Sequence, residues 1–251
     1  MILSVTGTLM AILAISPLAQ AQAPLMKGDT GARLVYVVLG DSTAAGVGAP
    51  YDDGIAVRTT AELSLTRQVT MHNFAVSGAR MRDVLEKQLS GAEAARPDLV
   101  LLSVAANDVT HLTSIPSMRS RLRLIVSRLR AANPAVRIVV TGSPDMGSPL
   151  RIPWILRGAS SVRSKMVNKM FTSEAKHLDL VFAPIARETG PAFRRDRTLF
   201  DADRFHPNAR GYALWTAVLN RSLAQALSTR RTGPSSPAAS GESTRAGKPA
   251  G

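Results

Sequence analysis

Residues 34–48 read LVYVVLGDSTAAGVG, from Leu34 to Gly48. The apolar run Leu34–Leu39 stops at Gly40-Asp41-Ser42, and the small residues Thr43, Ala44, Ala45, Gly46, Val47 and Gly48 follow. A short apolar run rich in β-branched residues has the character of a strand covered on both faces, as in a parallel sheet. Gly40 lets the backbone turn sharply where that strand ends. Ser42 is therefore expected just past the C-terminal end of a first parallel strand, the edge at which open α/β sheets bind ligands.

Outward from this stretch, strands and helices alternate. Ala56–Arg67 reads as a helix and Val69–Val76 as a second strand ending in Ser77-Gly78. In Ala79–Leu89, Met81, Val84, Leu85 and Leu89 recur at helical spacing. Asp98–Val104 is a third apolar strand, followed by Ala105-Ala106-Asn107-Asp108. Pro116–Ala132 is a helix with Leu122, Ile125, Val126 and Leu129 inward and Arg119, Arg121, Arg123, Arg128 and Arg130 on a solvated face. Val136–Thr141 and Asp179–Phe182 supply the fourth and fifth strands, a helix lies near Ser161–Phe171, and Pro207–Leu227 is the last helix. This alternation calls for right-handed βαβ units. The expected fold is a flavodoxin-like three-layer α/β/α sandwich with a five-stranded parallel sheet in the order 2-1-3-4-5. The long connection Gly142–Gly158 is of a length that is often functional. Its Ile152, Trp154, Ile155 and Leu156 are candidates either to line an acyl pocket or to pack on the core.

The ends differ from this middle. Residues 1–23 carry no charged side chain, and the apolar stretch Ile2–Ile15 is followed by Pro17 and the triplets Ala19-Gln20-Ala21 and Ala21-Gln22-Ala23. That pattern reads as a signal peptide or an N-terminal anchor, and it places the protein outside the cytoplasm, secreted or periplasmic. Residues 229–251 are rich in Ser, Gly, Pro and Ala and hold no large apolar side chain, the composition of a disordered tail. One domain, 24–228, remains between them.

Charge and composition exclude several classes. Lys+Arg number 31 against 18 Asp+Glu, a net +13. The tail holds four of the basic residues and one acid, so +10 belongs to residues 24–228. A basic domain can meet nucleic acid or an anionic membrane. Aromatic residues make up only 4%, however, the basic residues are scattered, and no zinc-finger spacing, aromatic RNA-binding signature or phosphate loop is present, so nucleic acid is not an expected partner. A weak contact with an anionic membrane surface through the Arg-rich helix 116–132 stays compatible with the sequence. With no cysteine, thiolate metal sites and cysteine nucleophiles are ruled out.

A serine hydroxyl needs a neighbouring base to act as a nucleophile. The histidines are His72, His111, His177 and His206. His206 stands in Asp201-Ala202-Asp203-Arg204-Phe205-His206-Pro207, where Pro207 keeps it on a loop before a helix. Asp203, three residues earlier, can turn back onto the imidazole, with Asp201 the competing acid. Both aspartates are also ordinary helix-capping residues. An oxyanion would need donors from strand ends on the same edge. The Ser42 N–H, the Gly78 N–H and the Asn107 amide are candidates.

Gly40-Asp41-Ser42, Gly78, Asn107-Asp108 and Asp203-x-x-His206 resemble, in order, the four blocks of the SGNH hydrolases, also called the GDSL esterase/lipase family. The resemblance runs over residues 34–225. It implies the flavodoxin-like fold and a serine esterase without metal or organic cofactor. It implies Ser42 as nucleophile, His206 as base and Asp203 as orienting acid, with Ser42, Gly78 and Asn107 forming the oxyanion hole. In one place the chain departs from it. The third block usually reads Gly-x-Asn-Asp, and here Ala105 holds the glycine position.

The function expected is hydrolysis of a small-molecule, lipid or glycan ester. The competing class is a non-catalytic extracytoplasmic protein that binds a glycan or a surface on the same fold. Oligomeric state has no signature in the sequence.

Overall fold

The run that decides the fold forms β1 (Arg33–Gly40) in the computed structural model, which describes residues 31–228. The leader or anchor read in 1–23 and the tail read in 229–251 lie outside the described residues. After β1 come α1 (Ser42–Ala45), a 3-10 turn at Tyr51–Asp53, α2 (Ile55–Ser64) and β2 (Gln68–Asn73). A continuous helical stretch follows as α3 (Met81–Asp83), a π-helical turn (Val84–Gln88) and α4 (Leu89–Ala95). β3 (Leu99–Ser103), α5 (Ala106–Thr110), α6 (Ile115–Ala132) and β4 (Arg137–Val140) complete the middle. α7 (Trp154–His177), β5 (Val181–Phe182), α8 (Ile185–Arg195), a 3-10 turn at Arg197–Leu199 and α9 (Ala209–Ser228) finish the domain.

The five strands form one parallel sheet in the order β2-β1-β3-β4-β5, as expected. Its register aligns Gly40 with Ser103 and Leu102 with Val140, so the C-terminal ends of the central strands lie level. Alternation along each central strand feeds two cores. Val37, Leu39, Val100, Leu102, Ile138 and Val140 face the helical stretch from α3 to α4 and also α5, α6 and α7. Leu34, Tyr36, Val38, Leu99, Leu101 and Val139 face α1, α2, α8 and α9. Every residue of β3 is buried, which is why that strand reads as an unbroken apolar run and not as an alternation. β1 turns at Gly40 because no side chain fits there. Its φ is +147°, and a Cβ would sit 1.8 Å from the Ser103 carbonyl oxygen.

The arginines of α6 stay partly exposed, but several are engaged. Arg119 and Arg123 both reach Glu174 of α7, and Arg128 pairs with Glu93 of α4. They fasten neighbouring helices over one face of the sheet. Among the described residues no helix is long and apolar enough to cross a membrane.

Several expectations need correction. The helix expected near Ser161–Phe171 begins at Trp154 and runs to His177, so the preceding loop is shorter than read. Trp154, Ile155 and Leu156 neither line a pocket nor pack on the core; all three are strongly exposed on the first turn of α7. The sequence reading assigned no element to the segment of α8, whose Gly190-Pro191 pair weakens helix signals. The helix read as ending at Leu89 widens into a π-helical turn before that residue and continues beyond it to Ala95.

Candidate active site

Asp41 caps the first turn after β1. Its carboxylate accepts from the backbone N–H of Thr43 at 3.0 Å and from the Thr43 hydroxyl at 2.8 Å. This cap holds Ser42 at the first position of α1, where a backbone N–H has no intrahelical partner. Burial pushes the Asp41 carboxyl up to about 6, against the two Thr43 hydrogen bonds that favour its charged form.

Across the sheet edge, the loop before α9 delivers His206. Gly48 permits the approach: its φ is +100°, and a Cβ would lie 2.6 Å from the Pro207 carbonyl oxygen and 2.7 Å from the His206 Cβ. His206 Nε2 lies 2.8 Å from Ser42 Oγ, and His206 Nδ1 lies 2.5 Å from Asp203 Oδ2. The other Asp203 oxygen accepts from the backbone N–H groups of Phe205 and His206, each at 2.9 Å. Burial acts to raise the Asp203 pKa. The hydrogen bonds from the His206 N–H, the imidazole and the Phe205 N–H outweigh it and hold the carboxyl below its ordinary range. A carboxylate only accepts, so Nδ1 carries the proton and Nε2 is free to accept from the serine hydroxyl. Asp201, the competing acid, meets this loop through its backbone, its N–H donating to the His206 carbonyl at 2.8 Å. Neither aspartate caps α9; that role falls to Asn208, whose side-chain oxygen accepts from the N–H groups of Arg210 and Gly211.

Gly78 and Asn107 follow β2 and β3, the strands on either side of β1. They are fastened to one another's loops. The Asn107 amide donates to the Ala79 carbonyl at 3.1 Å, and the Met81 N–H donates to the Asp108 carboxylate at 2.9 Å. Burial raises the Asp108 pKa, against that backbone hydrogen bond. Ser42, Gly78 and Asn107 thus all follow strand ends on one edge of the sheet. Ala105, which turns the chain from β3 into α5, is fully buried with φ +107°, a region that L residues rarely enter. The glycine of the family pattern has a physical reason, and this chain carries the strain instead.

Sequence reasoning missed Gln88. This buried side chain, at the end of the π-helical turn, accepts from the Gly40 N–H at 2.9 Å and donates to the Gly40 carbonyl at 2.8 Å. It fixes the backbone two residues before Ser42. A polar residue on the apolar stripe of that helix was the available signal. Also missed was the cavity beside Ser42 and His206, about 30 Å³, whose walls include Met146, Phe193, Phe200, Phe205 and Trp215. Asp145 at its border is bound by Arg194 and by the Ser148 hydroxyl. Among the described residues, no group of three or more histidine, aspartate or glutamate side chains is placed to hold a metal ion.

An alcohol, a base and an acid in this sequence of hydrogen bonds can pass a proton from Ser42 to His206 while Asp203 stabilises the imidazolium. Comparison with known proteins agrees with the fold. The model of the GDSL-like Lipase/Acylhydrolase family matches residues 38–214. The chain is 29% identical over 199 residues to the GDSL-like esterase Rv1075c of Mycobacterium tuberculosis (strain ATCC 25618 / H37Rv). That match covers 77% of this chain and 63% of the relative, so the chain spans less than two thirds of the relative's length. A GDSL-like lipase from Parabacteroides merdae superposes with a TM-score of 0.65 at 17% identity, covering 78% of this chain and 98% of that one. The psychrotrophic esterase EstA from Pseudoalteromonas sp., in a structure inhibited by monoethylphosphonate, superposes with a TM-score of 0.60 at 20% identity, covering 78% and 100%. At these identities the structural likeness is one of fold.

Proposed function

The chain belongs to the GDSL-like Lipase/Acylhydrolase family, and on that premise we propose that it hydrolyses carboxylic esters through an acyl-enzyme on Ser42. The observation that carries this reading is the unbroken path from Asp203 through His206 to the Ser42 hydroxyl at the C-terminal edge of the sheet. Ser42 Oγ attacks the ester carbonyl carbon, and its proton passes to His206 Nε2. The tetrahedral oxyanion is met by the N–H groups of Ser42 and Gly78 and by the Asn107 amide. As the intermediate collapses, the C–O bond to the alcohol breaks and His206 returns the proton to the leaving oxygen. Water then attacks the acyl-serine with His206 again as base, releasing the acid and restoring Ser42. Asp203 keeps the imidazole in the required tautomer throughout. Each oxyanion donor is worth about 3–4 kcal/mol in such a reaction. Residues 1–23, read as an export leader or anchor, support action outside the cytoplasm, and N-terminal sequencing of the protein recovered from its host tests that part of the reading.

The test is hydrolysis of p-nitrophenyl acetate by the wild-type chain and by Ser42→Ala, with circular dichroism to establish that both are folded. Removing the nucleophile of such a triad lowers kcat by about 10⁶-fold, to the residue of catalysis left by binding and the oxyanion hole. A folded Ser42→Ala protein with full turnover would overturn the assignment.

A further inference from the structure

Trp154, Ile155 and Leu156 form the first turn of α7, and Val162 and Met166 follow on the same helix. All five are between 51% and 79% exposed, and they are five of the twelve strongly exposed large hydrophobic residues among those described. Ile155, Val162 and Met166 are spaced i, i+7 and i+11, which puts them on one face of a helix with 3.6 residues per turn. Leu112, also exposed, belongs to the neighbouring turn, which Arg163 ties to α7 through the Thr113 carbonyl. Single exposed apolar residues are ordinary, but a cluster within thirteen residues of one helix marks an interaction surface.

The charges around the cluster indicate its partner. Residues 149–173 contain Arg151, Arg157, Arg163, Lys165 and Lys169 and not one acid. The acids that flank this segment, Asp145 and Glu174, are buried and already bound, Asp145 by Arg194 and Glu174 by Arg119 and Arg123. An exposed apolar helical face with tryptophan at its end and cations around it matches a medium that is apolar in depth and anionic at its boundary. A second copy of the chain matches it poorly, because a two-fold contact through this face would oppose like charges.

We propose that the N-terminal half of α7, from Trp154 to Met166, is a docking face for an anionic lipid surface. The connection leading into this face borders the cavity beside Ser42. Pro144 and Pro149, in the connection that leads into α7, line that cavity. The Arg151 guanidinium lies 5.5 Å from the centre of the Phe205 ring, and that ring packs edge-on against His206. Docking would set the mouth of the cavity at the lipid boundary, so an ester held in the lipid would meet Ser42 without leaving it. The binding itself does not depend on the esterase reading, and its test requires no turnover.

Trp154 supplies the probe, since the other tryptophan, Trp215, is buried. The full chain is titrated with phosphatidylcholine vesicles, plain or containing about one third phosphatidylglycerol, the lipid that supplies the negative surface potential. The expected result is a blue shift of Trp154 emission with the anionic vesicles only. Raising salt from about 0.05 M to about 0.5 M weakens the binding several-fold as screening shortens. The triple variant Ile155→Asp, Val162→Asp, Met166→Asp abolishes the shift, and Lys165→Gln with Lys169→Gln weakens it while the apolar face stays intact. Because all these side chains sit at the surface, both variants keep the wild-type melting temperature. Unchanged emission with anionic vesicles overturns the proposal, as does a shift that survives the triple substitution. A shift that grows with protein concentration in the absence of lipid assigns the face to self-association and overturns it as well.

Discussion

Asp203 and Asp41 are both carboxylates on loops at one sheet edge, and their surroundings drive them in opposite directions. Asp203 is held ionised by the His206 loop against the pull of burial. Asp203→Asn removes the acceptor that fixes the imidazole tautomer, so kcat on a soluble ester falls by about 10³–10⁴-fold with little change in KM. Asp201→Asn is the control: Asp201 is joined to His206 through its backbone, and the loss stays below about tenfold on the same mechanistic scale. Equal losses from the two variants would mean that the acid has been misassigned. Asp41 titrates from 3.8 in an ordinary setting to about 6 here, chiefly through burial. A carboxyl whose folded pKa is raised binds its proton more tightly in the native state, so its contribution to stability is greatest below pH 4 and is lost as pH rises to about 6. Asn caps a helix as Asp does but does not titrate. Measured by urea unfolding against Asp41→Asn, the wild type should therefore lose about 3 kcal/mol of relative stability between pH 3.5 and pH 7, because each pH unit between the unfolded and folded titrations is worth about 1.4 kcal/mol. A difference independent of pH would refute the buried titration. At this scale the sequence was informative where chemistry limits the choice. That Ser42, Asp203 and His206 come together is legible because only a few residue types can form such a hydrogen-bonded chain and the spacing within Asp203-x-x-His206 is local. The strain at Ala105 was half legible: the missing glycine could be seen, but its φ of +107° could not.

The π-helical turn between α3 and α4 shows what element-scale reading does not reach. Periodicity identified a helix from Ala79, because Met81, Val84 and Leu89 fall on one buried face. It did not reveal that the turn widens at Val84–Gln88, or that Gln88 reaches the backbone of a strand more than forty residues earlier. No local pattern encodes that contact, since the partner is the peptide group of Gly40. Gln88→Leu keeps the volume but strands a buried N–H and a buried carbonyl, at roughly 1–3 kcal/mol each. Unfolding free energy should drop by about 3 kcal/mol, and kcat should fall while KM holds, because the displaced backbone carries Ser42. A stability loss with wild-type kcat would show that Gln88 supports the sheet and does not position the serine. The other misreadings have similar local causes. Gly190-Pro191 hid α8, which persists because Ile185 and Phe193 are buried against the core shared with α9. Gly158 and the prolines before it lengthened the loop ahead of α7 on paper. Helix propensity is a weak term that tertiary packing overrides.

At the scale of the whole molecule, the cavity beside Ser42 is built from segments that no local reading connects. Its walls come from α1, the start of α5, the connection after β4, α8, the His206 loop and α9. Alternating strands and helices made the sheet order legible, because chirality and short connections leave few topologies. The cavity was not legible, because one of its walls is α8 and the others meet only after folding. Its free volume of about 30 Å³ admits two or three water-sized groups. If burial alone ruled, each added methylene of an acyl chain would gain about 0.8 kcal/mol and long esters would be preferred. Walls this close oppose that gain. Across a p-nitrophenyl ester series, kcat/KM should be highest for acetate or butyrate and at least about tenfold lower for palmitate, since close-packed walls yield little to added volume. Met146→Ala enlarges the cavity from the side of the connection after β4 without touching Ser42, His206 or Asp203. It should move the optimum to longer chains at a stability loss of about 2–4 kcal/mol, the usual effect of truncating a buried methionine. If the profile of Met146→Ala matches the wild type, the acyl chain lies elsewhere, and the exposed face of α7 becomes the surface against which chain length is read.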